Sequence, residues 1–166
     1  VLYIDLDLMG TAATAAEILN PKFTIIQAEP EKMREAQEQG RDFIFYDLPR
    51  FTGPTDIIYI DLLKRVNIAL VPVRPSLFDI WAGLEYMDFL KKIPVKKYAS
   101  FLNMEDRTND AREAAEILTK SFHPYIDANI PRLKALEIRD LSQPITAKPE
   151  GERFAPFYQT FKNLIK

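Results

Sequence analysis

Val1-Leu-Tyr-Ile-Asp-Leu-Asp-Leu-Met-Gly10 runs from β-forming residues straight into two carboxylates and a glycine, and Thr11 to Leu19, rich in alanine, follows it. Apolar run, acidic loop and helix former in that order read as strand, loop and helix. The same grammar recurs downstream. Phe23 to Ile26 reads as a second strand, and Pro30 opens a polar helix that Gly40 ends. Phe43 to Tyr46 reads as a third strand, stopping at Asp47. Then come a helix near Asp56 to Lys64, a strand Ile68 to Val73, a helix Phe78 to Lys91, a strand Tyr98 to Leu102 and a helix Asn109 to Ser121. An extended piece around Ile126 to Ile130, a short helix near Leu133 to Leu141 and a last helix from Arg153 complete the reading.

Short apolar strands that each lead into a helix mark a parallel sheet covered by helices on both faces. The expected fold class is therefore α/β, a three-layer α/β/α domain with a mostly parallel sheet, formed by residues 1–166 as one domain. Composition agrees. Among 166 residues, 47% are hydrophobic and the formal net charge is -2, which supports a packed core, excludes disorder and argues against a strongly basic nucleic-acid clamp, though not against a local basic patch. There is no Cys and one His, so thiolate zinc sites, cysteine nucleophiles and His-rich metal centres are excluded. No apolar run approaches the ~18 residues of a membrane span.

In parallel sheets ligands gather beyond the carboxyl ends of the strands. The residues there are Asp5 and Asp7 after the first strand, Asp47 after the third and Asn103 after the fifth. Carboxylates converging on one point suit a cation, and beside a nucleotide one carboxylate holds magnesium through water while another orients the attacking water. Taken singly, each Asp also fits a helix cap or a loop residue.

These residues resemble a known family. The Asp5-Leu-Asp7 loop is similar to the Asp-x-Asp-Pro-Gln-Gly loop of the ParA/MinD ATPases, with Leu8-Met9 where Pro-Gln is usual. Asp47-Leu-Pro-Arg50 resembles their Walker B segment, with Arg50 in place of a second Pro. Val71-Pro-Val-Arg-Pro-Ser-Leu-Phe-Asp-Ile-Trp-Ala82 is similar to the strand, proline turn and helix start of the small plasmid-partition ParA proteins. Phe101-Leu-Asn103 and Ile130-Pro-Arg132 fall in the same order.

The resemblance implies a partition ATPase that uses ATP/ADP and Mg2+, forms a nucleotide-sandwich homodimer and binds DNA without sequence preference. A centromere-binding, ParB-like adaptor would stimulate hydrolysis, at a cytoplasmic, nucleoid-associated location. It implies that Asp7 is catalytic, that Asp5, Asn103 and Pro131 border the nucleotide, and that Asp47 serves the metal. Arg132, Lys134, Arg139, Lys148 and Arg153 are the DNA-binding candidates. The family's lysine-bearing phosphate loop is absent, since no Gly-Lys pair occurs. It is expected ahead of Val1, with a strand and a helix. Two other readings stay open: a nucleotide-blind scaffold, and a MinD-like positioning ATPase that touches membranes through its last helix.

The aromatic stripe of that helix, Phe154, Phe157, Tyr158 and Phe161, is expected to dock on the protein's own sheet, which disfavours a membrane partner. Trp81 is read as a packing residue. Ser76 and Asp79 are read as a helix cap, and His123 is given no catalytic role.

Overall fold

The computed structural model describes residues 1–7, 9–10, 12–14, 16, 23–29, 40–49, 57–105, 108–132, 152 and 154–165. These fall into two compact units, one from Val1 to Tyr59 and the other from Ile60 onward. The expected helices near 31–39 and 133–141 lie outside the described residues, as do Lys134, Arg139, Lys148 and Arg153.

In the first unit, β1 (Leu2–Asp5) lies between β2 (Thr24–Gln27) and β3 (Ile44–Asp47), and both pairings are parallel. As the middle strand β1 carries the core: Leu2, Ile4 and the following Leu6 are almost wholly buried. Register places Tyr3 beside Ile25 and Phe45, and Asp5 beside Gln27 and Asp47. Because side chains alternate along a strand, Tyr3, Asp5, Phe45 and Asp47 share one face.

The second unit holds β4 (Ala69–Val73), β5 (Tyr98–Glu105) and β6 (Ile130–Pro131), again all parallel, in the order β4-β5-β6. Pro72 sits within β4, which lies at one edge of this sheet, where a residue without an N–H is tolerated. The chain also forms α1 (Ile57–Arg65), α2 (Leu77–Lys92), α3 (Asn109–Lys120) and α4 (Ala155–Leu164). Ser76 and Thr108 cap α2 and α3, each accepting the backbone N–H three residues on, from Asp79 and Ala111. Capping accounts for the Ser76-x-x-Asp79 step.

α2 buries Ile80, Gly83, Met87 and Leu90. Gly83 is where it meets β4. A Cβ added there would lie 2.7 Å from Val73 Cγ2, and Val73 is itself buried and β-branched, with little room to give. Gly83→Ala should therefore cost about 1–2 kcal/mol in urea unfolding, overpacking outweighing the gain in helix propensity. A stabilised variant would contradict this contact.

Trp81 departs from its sequence reading. It is 60% exposed and meets Phe78 edge to face at 6.3 Å, because it lies off the face that α2 buries. α4 docks in part as expected: Phe157 and Leu164 pack against Ala99, Phe101, Ile126 and Ala128, with Phe157 4.8 Å from Phe101, ring centre to ring centre, while Tyr158 of the same stripe is exposed. Lys97 Nζ donates to the Leu164 carbonyl at 2.9 Å and satisfies an orphan acceptor of the helix end. No helix among the described residues is long and apolar enough to cross a membrane. His123 sits nearly buried, with Nε2 3.3 Å from Asp88 Oδ1.

Candidate functional site

The acidic loop is built by Asp5. Its side chain is 1% exposed and accepts three backbone hydrogen bonds: Asp7 N to Oδ1 at 3.1 Å, and Ala12 N and Ala13 N to Oδ2 at 2.9 and 3.2 Å. Residues 12–14 are helical. A carboxylate at the end of β1 thus receives the first free N–H groups of the segment that follows, which suits the positive end of a helix. Both Asp5 oxygens are occupied by the chain itself, so Asp5 shapes the loop.

Gly10 closes the turn. Its φ is +56, a backbone that calls for glycine, whereas the end of the Gln27 side chain beside it could swing aside from an added Cβ. Gly10 N donates to the Asp7 carbonyl at 2.9 Å, and Gln27 Nε2 donates to the same carbonyl at 3.3 Å. The Asp7 backbone is held from both sides. Among the described residues its carboxylate accepts one bond, from Met9 N to Oδ1 at 3.0 Å.

Asp47 ends β3 in register with Asp5, and it is exposed. Its carboxylate Oδ2 accepts a 2.6 Å hydrogen bond from Tyr3 Oη, reaching diagonally across the β1–β3 pair. Burial first, then the Asp47 carboxylate, pushes the Tyr3 hydroxyl well above the ordinary tyrosine range, so it stays a donor. A raised folded-state value means that the stabilising contribution is intact below the ordinary value of about 10 and is lost as pH climbs past it. The stability difference between wild type and Tyr3→Phe should accordingly hold constant up to pH 10 and shrink above it. Equal alkaline slopes for the two proteins in denaturant titrations would contradict this.

The three carboxylates do not form one metal cage. Among the described residues no group of three or more Asp, Glu or His side chains could hold a metal ion, because Asp5 is turned inward and capped. What remains is one exposed strand-end carboxylate, Asp47, with one oxygen fixed by Tyr3. That donor set fits Mg2+ held through water, since Mg2+ keeps several waters and needs one or two carboxylates beside a phosphate.

In the second unit the strand containing Asn103 runs farther than expected. Pairing with β6 extends β5 past Leu102 to Glu105, so Asn103 lies within the strand, opposite Ile130. The ladder shifts register between Asn103 and Glu105, and Met104 between them has φ 60, a left-handed backbone that few residues other than glycine adopt. Pro131 pairs with Glu105, and Arg132 follows, exposed. Asn103 and Pro131 thus face each other's strands at the carboxyl end of this sheet.

Tyr3 and Met104 were not singled out by the sequence reading. Tyr3 carries a detectable signal, a phenol two residues before a strand-end carboxylate and hence on its face. Met104 carries none.

No protein-family model and no curated protein matches the sequence. Solved structures do match. A partition protein superposes with TM-score 0.62 at 14% identity over 98% of this chain, which spans 64% of that protein's length. The MinD cell division protein of Aquifex aeolicus gives 0.69 at 15% identity, covering 98% of this chain and 83% of its own. The fold is that of the ParA/MinD ATPases. A ParA family ATPase from Chlorobium tepidum gives 0.56 at 14% identity, covering 99% and 82%. The likeness spans nearly all of this chain, so the ParA/MinD fold accounts for both units.

Proposed function

We propose that the protein is a ParA-like partition ATPase that binds and hydrolyses ATP with Mg2+, dimerises around the nucleotide and holds DNA without sequence preference. The observation that carries this reading is the turn from Asp5 to Gly10. Inside a parallel sheet of ParA/MinD fold, one carboxylate is buried to shape the loop and a second is left on it. Asp7 orients and activates the attacking water, and Asp47 holds the waters of Mg2+. The ion would supply charge neutralisation of the phosphates. Asn103 and Pro131 border the base. The reading requires a phosphate-cradling loop with a lysine, which these 166 residues do not contain.

For DNA, Arg132 is the candidate within the described residues. Lys91, Lys92 and Lys96 are also exposed, with no carboxylate partner among the described residues, and they add phosphate-binding charge. The docking of Phe157 and Leu164 of α4 against the cluster that includes Phe101 of β5 favours this reading over a membrane-touching one. A centromere-binding adaptor stimulates hydrolysis, and the protein works in the cytoplasm on the nucleoid.

The test measures phosphate release from ATP–Mg2+ and retention of random-sequence duplex DNA in the same preparation. Arg132→Ala should weaken DNA retention about tenfold, flatten its salt dependence by about one unit of slope and leave ATP binding unchanged. Absence of ATP binding, or capture by anionic liposomes in place of DNA, would overturn the proposal.

A further inference from the structure

Asp47 stands exposed at the end of a strand, where a side chain has several rotamers open to it. A carboxylate that must hold the waters of a cation cannot swing freely, because each rotamer lost on binding weakens the site. Among the described residues one group restrains it: the Tyr3 hydroxyl, at 2.6 Å from Oδ2. Tyr3 is itself well anchored. It lies on the central strand, half-buried, paired on both sides with Ile25 and Phe45 and flanked by the buried Leu2 and Ile4. Its ring spans the step from its own register position to the next one on β3, and the phenol ends on the oxygen. The bond engages Oδ2, and among the described residues no donor meets Oδ1, so the carboxylate is both aimed and half open.

We propose that Tyr3 is the positioning residue for Asp47, donating to one carboxylate oxygen so that the other is presented at a fixed angle to the hydrated cation of the bound nucleotide. The inference rests on the reading of Asp47 as the carboxylate that serves Mg2+. Partners one step removed from a metal set ligand orientation and basicity, and their removal costs ~10–100-fold in metal affinity. Tyr3→Phe deletes the hydroxyl and keeps the ring that packs between the strands, so the fold is preserved while the restraint is lost.

The experiment titrates Mg2+ into the protein with a fluorescent ATP analogue, for wild type, Tyr3→Phe, Asp47→Asn and the double variant, with circular dichroism as a check on folding. The Mg2+ concentration for half-maximal analogue binding should rise about tenfold in Tyr3→Phe. Binding of the analogue in chelator should not change, and Tyr3→Phe should add little to Asp47→Asn. Asp47→Asn raising the Mg2+ requirement while Tyr3→Phe does not would overturn the inference alone, as would full additivity in the double variant. A rise in Tyr3→Phe that tracks loss of the circular dichroism signal also counts against it. If Asp47→Asn leaves the Mg2+ requirement untouched, the reading of Asp47 fails first and the inference falls with it.

Discussion

Asp7→Ala should retain folding and ATP binding while ATP turnover falls by ~100-fold or more, the scale of a lost acid–base group. The geometry separates the two effects. The Asp7 main chain is held by Gly10 N and by the Gln27 side chain, neither of which depends on its carboxylate. Among the described residues, removing the side chain frees only Met9 N, which faces solvent and finds water. A stability loss of no more than about 1 kcal/mol is therefore expected. Phosphate release under saturating ATP–Mg2+ measures the first effect and urea unfolding the second. Wild-type turnover in this variant would remove Asp7 from the chemistry.

Asp5→Ala, two residues earlier, should do the opposite. Its carboxylate is buried and receives three N–H donors, two of them from residues seven and eight positions on. Alanine would leave those donors facing a cavity, at about 3 kcal/mol, a large share of a domain's total stability. Turnover should then fall along with stability, because the loop that carries Asp7 loses its anchor. Asp5→Asn keeps one acceptor oxygen and should recover part of the loss. The measurement is the urea midpoint at constant slope. A change below about 0.5 kcal/mol in Asp5→Ala would show that the loop stands without its carboxylate.

This pair of neighbours marks the boundary of what the sequence discloses. Strand positions were legible because Leu2 to Asp5, Ile44 to Asp47 and Ala69 to Val73 are short apolar runs closed by polar or proline turns. The strand-end carboxylates were legible for the same reason. Their division of labour was not, since the donors that occupy Asp5 come from Ala12 and Ala13, and one-dimensional spacing does not say which way a carboxylate turns. Tyr3 was missed because its partner is fixed by register between strands 44 residues apart in sequence. Trp81 was misread because α2 is apolar on several sides, so periodicity does not choose its buried face; the close approach of Gly83 to Val73 does. The extra length of β5 turns on Met104, whose left-handed backbone no propensity favours.

Every ladder among the described residues is parallel, and Leu2 finds its neighbour at Ile44 only after two crossovers. Such wiring rewards the chain late. The entropy of closing long loops is lost before any ladder forms, which places folding toward the slow end for a domain of this size. As the polypeptide leaves the ribosome, the stretch around Ile4 stays without its full set of neighbours until Asp47 has been synthesised. In that interval its apolar residues are available to chaperones or to other nascent chains.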